Sequence, residues 1–266
     1  MKRPHVSLRV LRWLCPILLL LAWEIGVRTK LFPSSEAAAP SDILRHLGSL
    51  VRQGDLPRHA VYSVLRLLVG LVLGTVAGMC AGITLGTRYS LDFVVSPTIQ
   101  FLAPIPGVVW IPVLIMVFGI GELSKVAIVS VAIFFLIYIH TFIAVRSTAT
   151  EYLEVAAVYE KRSLERIRDV FLPAVAPAVF AAIRVAMAFA WVVLFAVEYA
   201  YATPREGGLG WFIANERGFG RIENEFAGVL VLGAIAFLAD RGIAWIEHRA
   251  VQWTNTLQTT LREVTP

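Results

Sequence analysis

Two long stretches of the sequence contain no charged side chain. Leu67 to Thr87 runs for 21 residues without Asp, Glu, Lys or Arg, and Phe93 to Gly121 runs for 29 residues. A helix needs about 20 apolar residues to cross the hydrocarbon core of a bilayer, so each stretch is long enough to span a membrane. Of the 266 residues, 58% are hydrophobic and 16% are charged. Soluble domains are about one quarter charged, so we predict an integral membrane protein.

The apolar runs predict an all-α integral membrane protein, a six-span helical bundle that forms one domain over residues 1–266. The first run follows a basic segment, which favours a cytoplasmic N-terminus. A cleaved signal peptide is the less favoured alternative, because Glu24, Arg28 and Lys30 separate this run from a candidate cleavage site at Ala37 to Ala39. The spans are predicted near residues 11–28, 61–86, 93–118, 123–145, 178–201 and 226–246.

Six spans would leave both termini, and the segment between the fourth and fifth spans, in the cytoplasm. Lys and Arg then number 13 on the cytoplasmic side and 9 on the outer side. This bias agrees with the tendency of basic residues to stay in cytoplasmic loops. We therefore expect a multi-pass protein of the cell inner membrane.

Two polar regions connect predicted spans. Residues 29–60 contain one possible amphipathic helix, Ser41 to Gln53, and Ala202 to Glu225 is expected to be a polar, glycine-rich loop. The Gly207-Gly208-Leu209-Gly210 run in that loop is not a phosphate-binding loop, because it follows no strand and lacks the required lysine.

Glycine recurs at every fourth residue of the second predicted span. A helix places such residues on one face, where the missing side chains let another membrane helix approach closely. In a soluble helix each glycine would cost about 1 kcal/mol relative to alanine. We predict a helix-packing stripe at Gly70, Gly74, Gly78, Gly82 and Gly86.

The third predicted span is rich in proline, which cannot donate a backbone N–H to a helix. A kinked or interrupted span is therefore expected, and the carbonyl groups that this frees must face protein or water. Two interpretations remain open: the span lines a transport pathway, or packing alone absorbs the kink. The prolines are Pro97, Pro104, Pro106 and Pro112.

A polar segment, Glu151 to Pro177, separates the fourth and fifth predicted spans. Its apolar residues recur at helical spacing in two groups, which predicts two short amphipathic helices that lie against a partner surface. Pro173 and Pro177 are expected to end the segment, because neither can continue a helical hydrogen-bond pattern. The two stripes are Leu153, Ala156 and Ala157, and then Leu164, Ile167 and Phe171.

This segment resembles the EAA loop of ABC-importer permeases, the part of those subunits that docks on a cytoplasmic ATPase. That family places a glycine where this chain has Glu160. We expect the sharp turn to persist there, with Ser163 capping the second helix; the alternative is that the two helices merge. The matching positions are Glu154, Ala156, Ala157, Val170, Leu172 and Pro173.

Motifs elsewhere are similar to the nitrate/sulfonate/taurine branch of these binding-protein-dependent permeases. The resemblance implies the fold of a type I ABC importer permease and a homodimer of this chain. It also implies two cytoplasmic ABC ATPase subunits and a periplasmic or extracellular substrate-binding protein as partners. In chain order the motifs are Ser63-x-x-Arg66, Pro104-Ile105-Pro106, Phe118 to Glu122, Glu198 followed by Gly208-Leu209-Gly210, and Asp240-Arg241.

The resemblance implies a permease subunit that moves a small, anionic, sulfonate-, nitrate- or taurine-like solute. No catalytic residue, cofactor, metal or nucleic acid is expected, and no Walker motif occurs, so ATP hydrolysis would belong to a partner. The implied ATPase-coupling residues are Glu154, Ala156, Ala157, Glu160, Leu172 and Pro173. The implied translocation pathway includes Pro104, Pro106, Arg184 and Glu198.

Arg184 and Glu198 lie within or beside predicted spans, where ionisable groups are functional candidates. The alternative roles are snorkelling to the membrane surface or a mutual ion pair, and Arg66 is expected to snorkel. A standalone secondary transporter or channel is the alternative function, although no internal repeat is visible. An intramembrane hydrolase is disfavoured, because no G-x-S-x-G motif accompanies His140. The sequence does not identify the transported solute.

The predicted topology can be tested with single cysteines in a variant that lacks both native cysteines. Ser90→Cys and Ser163→Cys should react with an impermeant maleimide only from the cytoplasmic side, and Ser49→Cys and Asn215→Cys only from outside, because of the basic-residue bias. Labelling of Ser163→Cys in intact cells would contradict both the topology and a cytoplasmic docking role for its segment.

Overall fold

The helices of the protein follow the apolar runs of the sequence. The computed structural model describes residues 8–31, 37–148 and 150–251, and all regular secondary structure in these ranges is helical. Lys2, Arg3 and the predicted cytoplasmic tail 252–266 lie outside them. The helices are α1 (Leu8–Arg28), α2 (Pro40–Gln53), α3 (Asp55–Thr87), α4 (Tyr89–Leu102), α5 (Trp110–Phe118), α6 (Glu122–Arg146), α7 (Thr150–Val158), α8 (Ser163–Arg166), α9 (Leu172–Tyr201), α10 (Leu209–Gly218) and α11 (Ile222–Ala250).

Four helical stretches of the described chain are long and apolar enough to cross a membrane: α3, α6, α11 and the stretch from Ser163 to Tyr201. Helix α4 and residues 107–118 add a fifth if this bent pair counts as one span. Helix α1 is not among them. The six-span count therefore remains a prediction.

The proline-rich span is interrupted, as predicted. Helix α4 ends at Leu102, and the chain bends by 89° before residues 107–118, which begin with a 3-10 turn at Gly107–Val109. Pro104 and Pro106 lie at this break, where two missing backbone donors in three residues prevent a continuous helix. Pro97, by contrast, lies inside α4.

The core of the bundle is made by α3, α6 and α9. Helix α6 packs against α3 on one side and against α9 on another. Its fully buried side chains include Ile128, Ile133 and Ile137, and α9 contributes Ala182 and Ala186 to the same apolar cluster. Small residues on α9 allow close packing without large side chains, which is how membrane helices gain contact energy.

The five glycines of α3 face α6 at very short range. A Cβ atom built on Gly70 would lie 2.5 Å from Val129 Cγ1, and one on Gly74 would lie 2.6 Å from the Ser130 carbonyl oxygen. Gly78, Gly82 and Gly86 are equally restricted, against Ile137, Thr141 and Val145. The α3 and α6 backbones can therefore approach this closely only because the stripe carries no side chains.

Of the two polar regions that connect predicted spans, one contains the predicted helix and the other contains a helix that was not predicted. The amphipathic helix predicted at Ser41 to Gln53 is present as α2, with Ile43 buried. The predicted loop Ala202 to Glu225, in contrast, contains α10, whose Phe212 and Ile213 pack in an apolar cluster with α2 and α11. A ten-residue helix with several polar side chains is too short to show a clear apolar periodicity on its own.

The polar segment between α6 and α9 does not end at Pro173 and Pro177 as expected. A π-helical turn, Ile167–Phe171, joins α8 to α9, and α9 begins at Leu172. Pro173 lies in the first turn of α9 and Pro177 lies inside it. Pro173 cannot donate an N–H within this continuing helix, and the π turn directly before it accommodates the misfit.

The glycine stripe makes a stability prediction with an internal control. Gly74→Ala should destabilise the protein by about 1–3 kcal/mol, because its new methyl group meets backbone. Gly233→Ala in α11 should be neutral or stabilising, because nothing lies within 4 Å of a Cβ there. Thermal unfolding midpoints of both variants in detergent test this difference, and equal midpoints would contradict it.

Candidate functional site

The segment between α6 and α9 presents apolar side chains away from the bundle. In this coupling segment, residues 150–171, Val158 is 82% exposed, Leu164 79% and Tyr159 73%. A groove of about 450 Å³ runs beside them, with Tyr152 and Val170 among its lining residues. Large exposed apolar surfaces outside a membrane mark interaction sites. The described residues therefore offer a partner-binding surface at this end of the bundle.

Glu160 adopts the left-handed conformation that the resemblance assigns to glycine, with φ +50°. The Lys161 N–H donates to the Ala156 carbonyl at 3.1 Å, and the Glu160 N–H donates to the Ala157 carbonyl at 2.9 Å. This pair of bonds is a Schellman motif, in which the residue after the helix must be left-handed. Helices α7 and α8 therefore stay separate, and the sharp turn survives without glycine.

Ser163 does not cap α8 as expected. It is the first helical residue, and the N-cap position is Arg162. The Arg162 N–H donates to the Glu165 carboxylate at 2.8 Å, which satisfies an N-terminal donor from three residues ahead. The Lys161 ammonium also donates to Asp169, so side chains brace the turn from both sides.

The apolar stripe predicted for the second helix is only partly formed. Ile167 and Phe171 pack against a buried cluster that includes Val145 and Val175, whereas Leu164 faces outward.

The predicted coupling residues fall on both sides of this segment. Ala156 is buried against the bundle at 3% exposure, whereas Glu154 and Ala157 are exposed. Leu172 and Pro173 are exposed at the start of α9, and Glu160 is exposed in the turn. Five of the six residues can therefore meet a partner directly, whereas Ala156 is buried.

The opposite end of α6 and α9 carries a second polar site, a five-charge cluster of Arg66, Glu122, Lys125, Glu198 and Glu206. Arg66 donates to both Glu122 oxygens at 2.6 and 2.5 Å and to Glu198 Oε1 at 2.6 Å. It also donates to the carbonyls of Glu206, at 2.7 Å, and Gly207, at 3.1 Å. With 3% exposure it does not snorkel, which corrects that expectation.

This cluster binds the glycine-rich run after α9. The Gly210 N–H donates to Glu198 Oε2 at 3.0 Å, and the Leu209 N–H donates to Ser63 Oγ at 2.8 Å. Gly208 has φ +112°, and a Cβ on it would lie 2.5 Å from the Glu198 Cδ atom. The run is glycine-rich because its backbone lies directly on a buried ion pair.

Lys125 joins the loop to α6 through Glu206, at 2.6 Å. Burial alone would raise the pKa of the Glu206 carboxyl, but the hydrogen bond and charge of Lys125 outweigh it, so this pKa lies below its ordinary value. The Glu206 carboxyl is therefore charged at neutral pH, and its bond to Lys125 holds the loop on the cluster.

The two predicted pathway charges do not pair with each other. Glu198 is 1% exposed and pairs with Arg66, whereas Arg184 lies on the bundle surface and pairs with Asp240 at 3.1 Å. Pro104 and Pro106 line a separate apolar cavity of about 290 Å³ beside α9. The predicted pathway residues therefore occupy three different places.

Sequence reasoning missed Ser63, Glu122, Lys125 and Glu206 as one site with Arg66. The available signal was their common position: all five lie where the predicted topology puts the outer ends of spans. Buried charges must find partners, so charges that share one end of a bundle are expected to meet.

Comparison with protein families identifies the family of this chain. Residues 70–252 match the family described as the binding-protein-dependent transport system inner membrane component, which is well over half of the chain. The chain belongs to this family. It is a membrane permease subunit of an ABC importer, and the alternative of a standalone secondary transporter or channel is not favoured.

Relatives of this permease confirm the predicted branch. A permease protein named for aliphatic sulfonates transport, SsuC of Bacillus subtilis, is 27% identical over 92% of this chain and 88% of its own length. The taurine transport system permease protein TauC of Escherichia coli is 24% identical over 90% of this chain and 88% of its own. Both alignments extend over nearly the whole permease.

A solved structure agrees on the fold. A chain in an inward-facing crystal form of the MetNI methionine ABC transporter superposes on this permease with a TM-score of 0.61. The match covers 74% of this chain and 94% of that chain at 20% sequence identity. The predicted fold class, a helical membrane bundle like that of type I importer permeases, is thereby confirmed.

The Glu160 turn gives a prediction specific to this permease. Glu160→Gly should stabilise the coupling segment by about 1 kcal/mol and retain transport, because glycine adopts the left-handed conformation at little cost. Glu160→Pro should uncouple ATP hydrolysis from transport, because proline fixes φ near −65° and the turn has φ +50°. Lys30→Gly, at another left-handed residue, is the matched control and should leave coupling unchanged.

Three measurements test this prediction: the thermal midpoint, proteolysis between α7 and α8, and the ratio of ATP hydrolysed to solute moved. Loss of transport in Glu160→Gly, with the complex still assembled, would instead identify the glutamate as a direct contact to the ATPase.

Proposed function

We propose that this permease works as a homodimer with two cytoplasmic ATPase subunits and an external substrate-binding protein, and imports a small organic sulfonate or similar anion. It would lie in the cell inner membrane with both termini in the cytoplasm and form one domain over residues 1–266. ATP hydrolysis then belongs to the partner subunits.

The exposed apolar surface of the coupling segment is the observation that carries this proposal. Val158, Tyr159 and Leu164 project from a compact pair of short helices between two membrane helices. A side-chain surface of this kind outside the membrane requires a protein partner to bury it. In a family of ABC importer permeases, a cytoplasmic ATPase is the partner that would use it.

Continuity with the bundle supports a role in energy coupling. The helical stretch from Ser163 to Tyr201 runs for 39 residues, from the coupling segment to the end of α9 that carries Glu198. A displacement of the segment by an ATPase would therefore act directly on a helix of the core. Val175 of α9 is buried in a cluster with Ile83 and Val145, so the start of α9 is packed on the neighbouring core helices.

The names of the relatives support the solute class. SsuC is named for aliphatic sulfonates and TauC for taurine, and these solutes share a sulfonate group with a fixed negative charge. We therefore propose a sulfonate-bearing solute, with taurine as the first compound to test.

Charge reversal at Glu154 tests the docking surface. Glu154→Lys should insert into the membrane normally, yet reduce both ATPase co-purification and ATP-driven taurine uptake by at least about tenfold. The reason is that we expect Glu154 to face a basic group of the ATPase, and a lysine there would repel that group. Arg52→Glu is the matched control: it reverses one exposed charge on α2, remote from the coupling segment, and should leave both quantities unchanged.

The permease for this experiment is co-expressed with the ATPase and binding protein from neighbouring genes and reconstituted in liposomes. Normal uptake and a normal complex in Glu154→Lys would remove Glu154 from the docking surface. Absence of taurine uptake by the unaltered complex would overturn the proposed solute.

A further inference from the structure

One face of α9 is open on the surface of the bundle and carries a charge. Arg184, Val185, Ala188 and Phe189 are all exposed, at the spacing of one helical face. The opposite face, with Ala186, is buried in the core. An arginine on the open face of a membrane helix needs an explanation, because hydrocarbon does not solvate it.

The charge is matched by carboxylates on α11. Arg184 Nε donates to Asp240 Oδ1 at 3.1 Å and its Nη2 to Oδ2 at 3.4 Å, while Glu247 Oε2 lies 3.8 Å from Nη1. The side chains of Arg184, Asp240 and Glu247 are 43%, 38% and 29% exposed. This ion pair is therefore half open and loosely held.

The predicted spans place this pair inside the membrane rather than at its surface. Arg184 and Asp240 each lie about 9 Å inside the cytoplasmic limits of the predicted spans, 178–201 and 226–246. Asp240 has a short side chain that cannot reach the interface, and it holds the arginine head at its own depth. The pair must face water or another protein surface rather than lipid.

The permease contains its own comparison for this arginine. Arg66 makes five hydrogen bonds of 2.5–3.1 Å and is 3% exposed, so its donors are fully used by protein. Arg184 makes two longer ones and leaves Nη1 without a partner at hydrogen-bond distance. Arg66 is built as a fixed structural charge, whereas Arg184 retains donors that a second anion can accept.

The pair borders a groove that could accommodate such an anion. The groove has a volume of about 450 Å³ and is lined by Ala181, Arg184, Ala188, Phe189, Asp240 and Glu247. It is a shallow, open groove, so an anion beside the guanidinium would still contact the space outside the bundle. The alanines leave room beside the guanidinium, which favours oxyanions that accept two parallel N–H bonds.

We propose that this groove is a wall of the aqueous passage and that Arg184 contacts the sulfonate in transit, with Asp240 as its counter-ion when the passage is empty. The solute exchanges for Asp240, so the arginine is never left unpaired in a low-dielectric environment. This inference rests on the proposed function for the class of solute, and it makes Arg184 a specificity-determining residue.

Thiol modification tests the passage without any partner protein. The probe is 2-sulfonatoethyl methanethiosulfonate, an anion that carries the relevant group, compared with a trimethylammonium analogue of similar size. In nanodiscs and a cysteine-free background, Ala188→Cys should react with both reagents and prefer the anion. Val72→Cys is the control: it lies on an exposed face of α3 whose large side chains are all apolar, which we expect to face lipid, and it should not react.

Neighbouring substitutions then test the charge. Adding Arg184→Gln to Ala188→Cys should lower the ratio of anionic to cationic reaction rates by about tenfold, and adding Asp240→Asn should raise it. If Ala188→Cys is as unreactive as Val72→Cys, the face is dry and the passage is overturned. If neither Arg184→Gln nor Asp240→Asn changes the ratio of anionic to cationic reaction rates, the role of Arg184 is overturned. If Arg184→Gln does not fold, the Asp240→Asn variant decides alone.

Transport separates a structural pair from a solute contact. The double variant Arg184→Gln/Asp240→Asn removes both charges and keeps the site neutral. If the ion pair is purely structural, taurine uptake by the double variant should return to that of the unaltered complex. We expect instead that uptake stays at least about tenfold below it, with the ATPase complex intact. Restored uptake would overturn this inference alone. Absence of uptake by the unaltered complex would overturn the proposed solute and leave the labelling result to decide the passage.

Discussion

The close approach of α3 and α6 is the contact on which the rest of the structure depends. The five-glycine stripe brings the α3 backbone so near to α6 that a Cβ added at Gly74 would lie 2.6 Å from a backbone oxygen of α6. Helix α6 then lies between α3 and α9, and the exposed and buried faces of α9 follow from that position. In a membrane, where burial of apolar groups gives helices no advantage over lipid, such steric fit supplies much of the packing energy.

Helix α9 connects the two polar ends of the permease. At one end it continues from the coupling segment through the π turn, and at the other Glu198 anchors the glycine-rich run through Arg66. The buried pair at Glu198 is costly to desolvate and is retained with every donor and acceptor satisfied. The proposed movement of the coupling segment would thus reach the far loop through one helix, with Arg184 exposed on its open face.

Several parts of this picture could be predicted from the sequence because they depend on local rules. The apolar runs, the four-residue glycine spacing and the proline-rich break each follow from the needs of a helix in lipid. The left-handed turn at Glu160 was also predicted, although only part of the apolar stripe on which that prediction rested is formed. The predicted cap at Ser163 was wrong, because the helix begins one residue earlier: Arg162 is the N-cap, and its N–H donates to the Glu165 carboxylate.

The sequence by itself determined that the chain is a helical membrane protein, where its spans bend, and which polar segment separates α6 from α9. Only the tertiary structure decided which charges meet. Arg66 is paired with Glu198, 132 residues away, and Arg184 with Asp240, 56 residues away. The physical reason is that periodicity reports the environment of each helix face, whereas the partner of a buried charge depends on how separate helices are arranged around it.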